Sequence, residues 1–329
     1  MTTFKEIRGK LIRTLDTDPT PATTYEGQIW YNKTIGVLKA SRVIAAAWSS
    51  GGNLNTARAV TGGGGTTNAG IAVGGGGTGQ VLTEEYDGSA WSSGGNLNLK
   101  RINVGTAGTQ TANVAFGGNP DETPTNATEE YDGTSWTSVN NMSLSLRNRS
   151  PGIGILTAAV AAGGNPPTTT ATEQYDGTSW TSGGSLGTAQ YASSGAGTQT
   201  AALLMGGINP PSGRNFSAEY NGSAWTTGNN MNTPSFLRCG GAGTQTAALG
   251  FGAYVTGAGS VGTEEYDGTS FSVSPAQQVT SRGDFAAGYK GTVSGGNTFS
   301  AGGNTPSGTT AATEEYNATP VGTVTLTTS

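Results

Sequence analysis

Apolar positions in this chain come in short bursts, each cut off after a few residues by Gly, Pro, Asn or Asp, and no helix is predicted. A stretch around residues 101–136 shows the pattern, read as strands A to D. Strand A covers 101–107 and stops at Gly108-Thr109-Gln110, a tight hairpin turn. Strand B covers 111–117 and ends in Gly117-Gly118. The loop 119–126 carries Pro120 and Pro124, which cannot sit in a central strand. Strand C is Thr128-Glu129-Glu130-Tyr131, and Asp132-Gly133 then reads as a two-residue type I′ turn. Strand D opens at Ser135-Trp136, and Ser-Leu-Ser-Leu-Arg leads onward.

This unit repeats. Its tyrosine recurs as Tyr86, Tyr131, Tyr175, Tyr220, Tyr266 and Tyr316, and the aromatic that opens strand D as Trp91, Trp136, Trp180, Trp225 and Phe271. A period of 44 to 50 residues fits a four-stranded sheet repeated around an axis, a β-propeller. Small residues in strands A and B suit the crowded axis, and the aromatics suit the widening wedge between sheets. The last unit has strands A (283–290), B (298–303) and C (313–316), but Val321 stands where its Trp belongs. Residues 44–58 reproduce the strand D string around Trp48 with no strands A to C before it. The chain is therefore predicted to be all-β, a six-bladed propeller whose N-terminal strand closes the last blade and leaves few exposed edges. The tail 321–329 is an alternative for that place, or an added outer strand. The domains are 1–40, a short hairpin and anchor segment expected to become ordered only against a partner through Phe4, Ile7, Leu11, Ile12 and Trp30, and 41–329, the propeller.

Composition alone points elsewhere: of 329 residues, 56 are Gly, 33% are hydrophobic and 11% charged, a profile shared with disordered chains. The repeat overrules that reading. The net charge is −5, yet residues 1–40 hold six basic against four acidic residues, so the rest carries ten against seventeen. Such an acidic body disfavours nucleic acid. No apolar run is long enough to insert in a membrane, and no secretory signal is read at the start, which implies synthesis in a cytoplasm. The one cysteine, Cys239, excludes an internal disulfide and reads as a small buried residue.

The Gly-Gly pair, the Tyr-Asp pair, the Trp some five residues later and an Arg opening the next unit together resemble the kelch repeat, over about 41–320. The near-identity of the copies is similar to repeat proteins of marine bacteriophages, cyanophages especially. The segment Glu26-Gly-Gln-Ile-Trp-Tyr-Asn-Lys-Thr-Ile-Gly-Val-Leu-Lys39 resembles a short hairpin module of phage tail and virion proteins. These resemblances imply a virion structural protein of the tail fibre, baseplate or adsorption apparatus, joined to other virion proteins through residues 1–40 and touching a host-surface glycan or protein. A capsid or tail decoration protein without a receptor, and a free kelch-type interaction module, are the alternatives.

Catalytic chemistry has little to draw on. With no histidine, the common triads and imidazole metal sites are excluded, and so is the copper oxidase activity found among kelch-like propellers; no cofactor is expected. Sialidase-type turns space Asp and Gly one apart, whereas here they adjoin. The paired carboxylates, such as Glu84-Glu85, point to opposite faces of a strand and cannot act together. Arg58, Arg101, Arg147, Arg238 and Arg282 follow strand D, with Gln190 in the fourth copy, and are expected to form a structural ring bonded to carbonyls of adjacent blades rather than an anion funnel. The copies differ most between strands B and C, and variable loops on a rigid scaffold are where binding concentrates. The binding candidates are Asn119, Asp121 and Glu122 in one such loop, Asn209, Arg214 and Phe216 in another, and Tyr254 in a third.

Overall fold

Strands this short are unstable alone and must pair side by side to satisfy their backbones. The computed structural model describes these pairings for all residues except 1–11, 18–28, 44, 60, 78–79, 121–122, 145–149, 210–211, 214, 234–238, 256–257, 289–296, 319–320 and 327–329. Among the described residues every regular element is a strand. The chain divides into two units, Trp48–Tyr316 and Met1–Ala47 with Asn317–Ser329.

The larger unit is a series of four-stranded antiparallel sheets, each identified here by its tyrosine. The Tyr131 sheet runs Gly105–Gly108, Asn113–Phe116, Thr128–Tyr131 and Trp136–Val139, in that order across the sheet. Strand C has the predicted bounds, but strand A starts four residues late. Residues 101–104 form a turn instead, with Asn103 at φ 57°. The same arrangement gives the Tyr86 sheet (Gly62–Thr66, Ala69–Val73, Thr83–Tyr86, Trp91–Ser93) and the Tyr175 sheet (Gly152–Ile155, Ala158–Ala162, Thr172–Tyr175, Trp180–Ser182). It gives also the Tyr220 sheet (Ser194–Thr198, Ala201–Met205, Ser217–Tyr220, Trp225–Thr227) and the Tyr266 sheet (Gly240–Thr244, Ala247–Val255, Ala258–Tyr266, Phe271–Val273).

In the Tyr316 sheet, Ala286–Ala287, Thr298–Ala301 and Thr313–Asn317 are followed at the outer edge by Ala47–Ser50. Beyond that strand, Gly51 N–H donates to Thr313 O and Leu54 N–H to Ala311 O, as Gly94 does to Thr83 and Leu97 to Val81 in the Tyr86 sheet. The turn between strands C and D differs from expectation. Tyr131 pairs with Trp136, so the loop has four residues, and the Asp132 carboxylate accepts the N–H groups of Thr134 and Ser135 at 2.8 Å. Only Gly133 has a positive φ there, 92°, so it is an Asp-capped turn and not type I′.

Each sheet packs on the next. One cluster joins Ile71 and Val73 of the Tyr86 sheet to Ala115, Tyr131 and Trp136, and another joins Ile153 and Val160 to Leu204 and Tyr220. Trp48 lies between Phe251 and Tyr316, with ring centroids 5.0 and 5.4 Å apart and the rings tilted. Strand C explains why its residues are buried on both faces. Thr83 and Glu85 face the sheet that follows, where they accept hydrogen bonds from Trp136 Nε1 and the Tyr131 hydroxyl; Glu84 and Tyr86 face the other way. The pattern recurs as Tyr175 to Glu130, Tyr266 to Glu219, Tyr316 to Glu265 and Tyr86 to Glu315. At the remaining junction Gln174 Nε2 donates to the Tyr220 hydroxyl at 2.8 Å, reversing the direction. Gln110 of the A–B turn also reaches back, to the carbonyls of Gly70 and Tyr86. In the first strand of the Tyr86 sheet, a Cβ on Gly63 would lie 2.5 Å from Ala287 N, so no side chain fits at that position.

Burial pushes the Tyr86 and Tyr131 hydroxyls up to about 12, and the bonds to Glu315 and Glu85 add to it; Tyr316, buried beside the Glu265 charge, also rises to about 12. These folded values lie above the free value of about 10. Their contribution to stability is therefore complete below about pH 10 and lost as pH climbs from about 10 through about 12. We expect absorbance at 295 nm and far-ultraviolet circular dichroism to change together over that range. Ionisation of all tyrosines near pH 10 with the fold intact would contradict the buried relay.

The smaller unit holds a four-stranded sheet in the order Arg13–Leu15, Ile29–Asn32, Val37–Val43 and Val321–Leu326. The tail strand neither edges the Tyr316 sheet nor stands apart; it pairs antiparallel with Val37–Val43. Together these strands give more than the lone hairpin expected from the sequence, and Trp30 is 1% exposed while Ile12 is 42% exposed. Phe4, Ile7 and Leu11 lie outside the described residues.

Candidate functional site

Among the described residues, the arginines that follow strand D are not presented to solvent. Arg58, Arg101 and Arg282 are fully buried, each ion-paired to the first carboxylate of a Glu pair: Glu84, Glu129 and, at 2.6 Å, Glu314. Arg101 Nη1 also donates to Gly117 O and Ala127 O, and Arg282 Nη1 to Gly302 O and Ala312 O. These carbonyls belong to the sheet that the arginine leads into, so the expected bonds to adjacent sheets are replaced by bonds within one repeat. Burial lowers the pKa of all three arginines, and the partner carboxylate opposes the shift. A guanidinium enclosed and neutralised in this way cannot serve a dissolved anion. Arg147 and Arg238 lie outside the described residues.

The sequence reading missed the acidic partners, although one repeat signalled them. In the Tyr220 sheet the arginine position is Gln190 and the first carboxylate position is Ala218, so both charges are lost together. The strand D aromatics show the same linkage. Trp Nε1 donates to the Thr that opens strand C of the preceding sheet, as Trp91 does to Thr313 and Trp48 to Thr263. Where the aromatic is Phe271 the matching position is Ser217, which donates to Asn229 O instead.

The B–C connections break the uniformity of the sheets. Ile208–Asn209 pairs with Ser212–Gly213, and Asn304–Thr305 with Gly308–Thr309, as small hairpins, while strands B and C of the Tyr266 sheet extend past a bulge into a longer one. These connections are tied to the D–A turns by isolated bridges, Ile102 to Asn119, Tyr191 to Ile208 and Gly283 to Asn304. Asn119 has its backbone in such a bridge, and its buried Oδ1 has no partner among the described residues. Asn209 pairs with Ser212 through its backbone. Phe216 is half-buried against the cluster of Ile153, Val160 and Leu204, so it is core rather than a stacking platform. Asp121, Glu122 and Arg214 lie outside the described residues, as does the side chain of Tyr254.

Beside these turns lies a cavity of about 150 Å³, lined by every sheet of the larger unit through Gly62, Thr106, Gly152, Ser194, Gly240 and Phe285. Asn103, Ala192 and Asp284, with φ of 57°, 55° and 59°, also line it, so the D–A turns bend to bring the first strands together there. Half-buried Cys239 is in the same wall; burial pushes its thiol up to about 12, against a hydrogen bond with Ser194. The described residues contain no group of acidic and thiol side chains suited to a metal ion.

No family model matches the chain, and no curated protein does. Among solved structures, the one titled "Structure of YjhT" is similar, with a TM-score of 0.65 at 11% identity, over 82% of this chain and 99% of that one. The likeness is to a kelch-like β-propeller and shows a propeller-like fold.

Proposed function

We propose that the chain is a non-enzymatic structural protein of a phage virion, part of a tail fibre, baseplate or adsorption apparatus, which touches the host surface through its B–C connections. In this reading the sheets are six blades of a ring, closed by Ala47–Ser50, and residues 1–40 join other virion proteins. One observation carries it: side-chain bonds between sheets repeat from unit to unit, whereas irregularity is concentrated in the B–C hairpins. A rigid, repetitive body with one varied face suits recognition on a scaffold. Among the described residues, the strand C glutamates accept structural donors, which supports a non-catalytic reading. The virion and host parts rest on the resemblance of the repeats and of Glu26–Lys39.

The test replaces 208–216 and 253–261 with short Gly-Ser loops and measures adsorption of the particle to host cells. Loss of adsorption with unchanged circular dichroism is expected. Normal adsorption would exclude these loops as the contact, and immunogold labelling that never finds the chain on particles would overturn the virion assignment.

A further inference from the structure

The Tyr220 sheet keeps the backbone of its neighbours but not two of their side chains. Gln190 stands nine residues before Gln199, as Arg101 stands nine before Gln110. Its carbonyl accepts Gly164 N–H at 2.9 Å, as that of Arg101 accepts Gly75 N–H at 3.0 Å. Ala218 stands two before Tyr220 and pairs with Leu204, as Glu129 stands two before Tyr131 and pairs with Ala115. Leu186 N–H bonds Thr170 O at 2.8 Å, as Leu97 bonds Val81 at 2.9 Å. The frame is the same, so the chemistry that differs belongs to the side chains.

In four other sheets the first carboxylate of strand C accepts two consecutive backbone N–H groups. Asn55 and Thr56 donate to Glu84, Asn98 and Leu99 to Glu129, Asn232 and Thr233 to Glu264, and Val279 and Thr280 to Glu314. The corresponding donors in the Tyr220 sheet are Gly187 and Thr188, directly after buried Leu186, and neither has an acceptor among the described residues. Ala218 offers them a methyl group. Gln190 is 1% exposed, and neither Nε2 nor Oε1 of its amide has a partner among the described residues. Buried polar groups left without partners are costly, and an anionic acceptor gives the stronger kind of hydrogen bond. Gly187 is exposed and Thr188 half-buried, so the two N–H groups stand at the surface while the amide lies deeper.

We propose that this place binds the carboxylate group of a small carboxylic acid. The ligand's two oxygens accept the N–H groups of Gly187 and Thr188, Gln190 Nε2 is the third donor, and the Ala218 methyl packs on the ligand's apolar end. A planar carboxylate is favoured because the same backbone frame holds a glutamate carboxylate in its neighbours. The site is independent of host recognition and of the virion assignment.

The test titrates sodium formate, against sodium chloride at equal ionic strength, into the full ¹⁵N-labelled chain. The amide signals of Gly187 and Thr188 are expected to move saturably, while those of Asn98 and Leu99, already bonded to Glu129, stay in place. Ala218→Glu supplies the carboxylate from within, and its Gly187 and Thr188 signals are expected not to respond. Gln190→Arg adds a charged donor and is expected to tighten formate about tenfold. If that variant does not fold, the wild type and Ala218→Glu still decide. Shifts that rise linearly with formate, appear equally at Asn98 and Leu99, or persist in Ala218→Glu overturn the proposal.

Discussion

Replacing Trp48 with alanine is expected to destabilise the larger unit by about 3–5 kcal/mol, the range for truncating a buried aromatic. Trp48 precedes the first complete repeat, yet it is 7% exposed, against 5% for Trp91 inside one. It donates to Thr263 at 3.1 Å, as Trp91 donates to Thr313 at 2.9 Å. Urea unfolding of Trp48→Ala and Trp91→Ala should therefore give similar losses. Deleting residues 1–50 goes further: it removes the outer strand of the Tyr316 sheet and bares the edge of Thr313–Asn317. An uncovered edge recruits other strands, so this truncated chain is expected to oligomerise. A loss below about 1 kcal/mol for Trp48→Ala, or an unchanged monomeric truncation, would remove the strand from any part in holding the larger unit together.

Glu129→Ala is expected to cost about as much, about 3–5 kcal/mol, because it leaves Arg101 buried without its counter-charge. The double substitution Arg101→Gln with Glu129→Ala recreates the combination that the Tyr220 sheet carries in Gln190 and Ala218. It removes both charges, and its cost is expected to be about 2 kcal/mol lower than the sum of the two single substitutions, since contacting residues couple by about 0.5–3 kcal/mol. Chemical denaturation of the four members of this cycle gives the coupling directly. If the double variant is as unstable as the sum of the singles, the pair is not a unit and the joint change at Gln190 and Ala218 is unconnected with charge.

What the sequence revealed followed from local chemistry. Strand C was legible because Thr-Glu-Glu-Tyr before an Asp-Gly pair is a strand running into a turn, and its bounds agree with Thr128–Tyr131. The span of that turn was not legible, because the Asp132 side chain caps it and the identity of the Asp-Gly pair does not set loop length. Bonds between sheets were hidden for another reason: Tyr86 reaches Glu315 across 229 residues, and nothing near either one encodes the meeting. The tail strand was hidden likewise, since alternation at 321–326 fits any open edge and only the presence of Val37–Val43 selects one. Of the loop candidates, Phe216 looked available because it neighbours Pro, Ser and Asn; its packing on the Tyr175 sheet depends on partners in the preceding repeat.

The tyrosine relay bears on how such a chain can change length. Each repeat brings a tyrosine for the sheet before it and, in most copies, a carboxylate for the sheet after it, as Tyr131 with Glu130 does. Removing the whole Tyr131 repeat would bring Tyr175 against Glu85, a joint chemically identical to those lost. Recombination between near-identical gene segments would thus leave no unmatched half-joint at the seam, and duplications of such a repeat would be equally silent. The joint of Gln174 and Tyr220 runs in the opposite sense, yet a tyrosine hydroxyl both donates and accepts, so an exchange there also leaves a paired joint. Copy number in this lineage is therefore expected to vary at any of these joints.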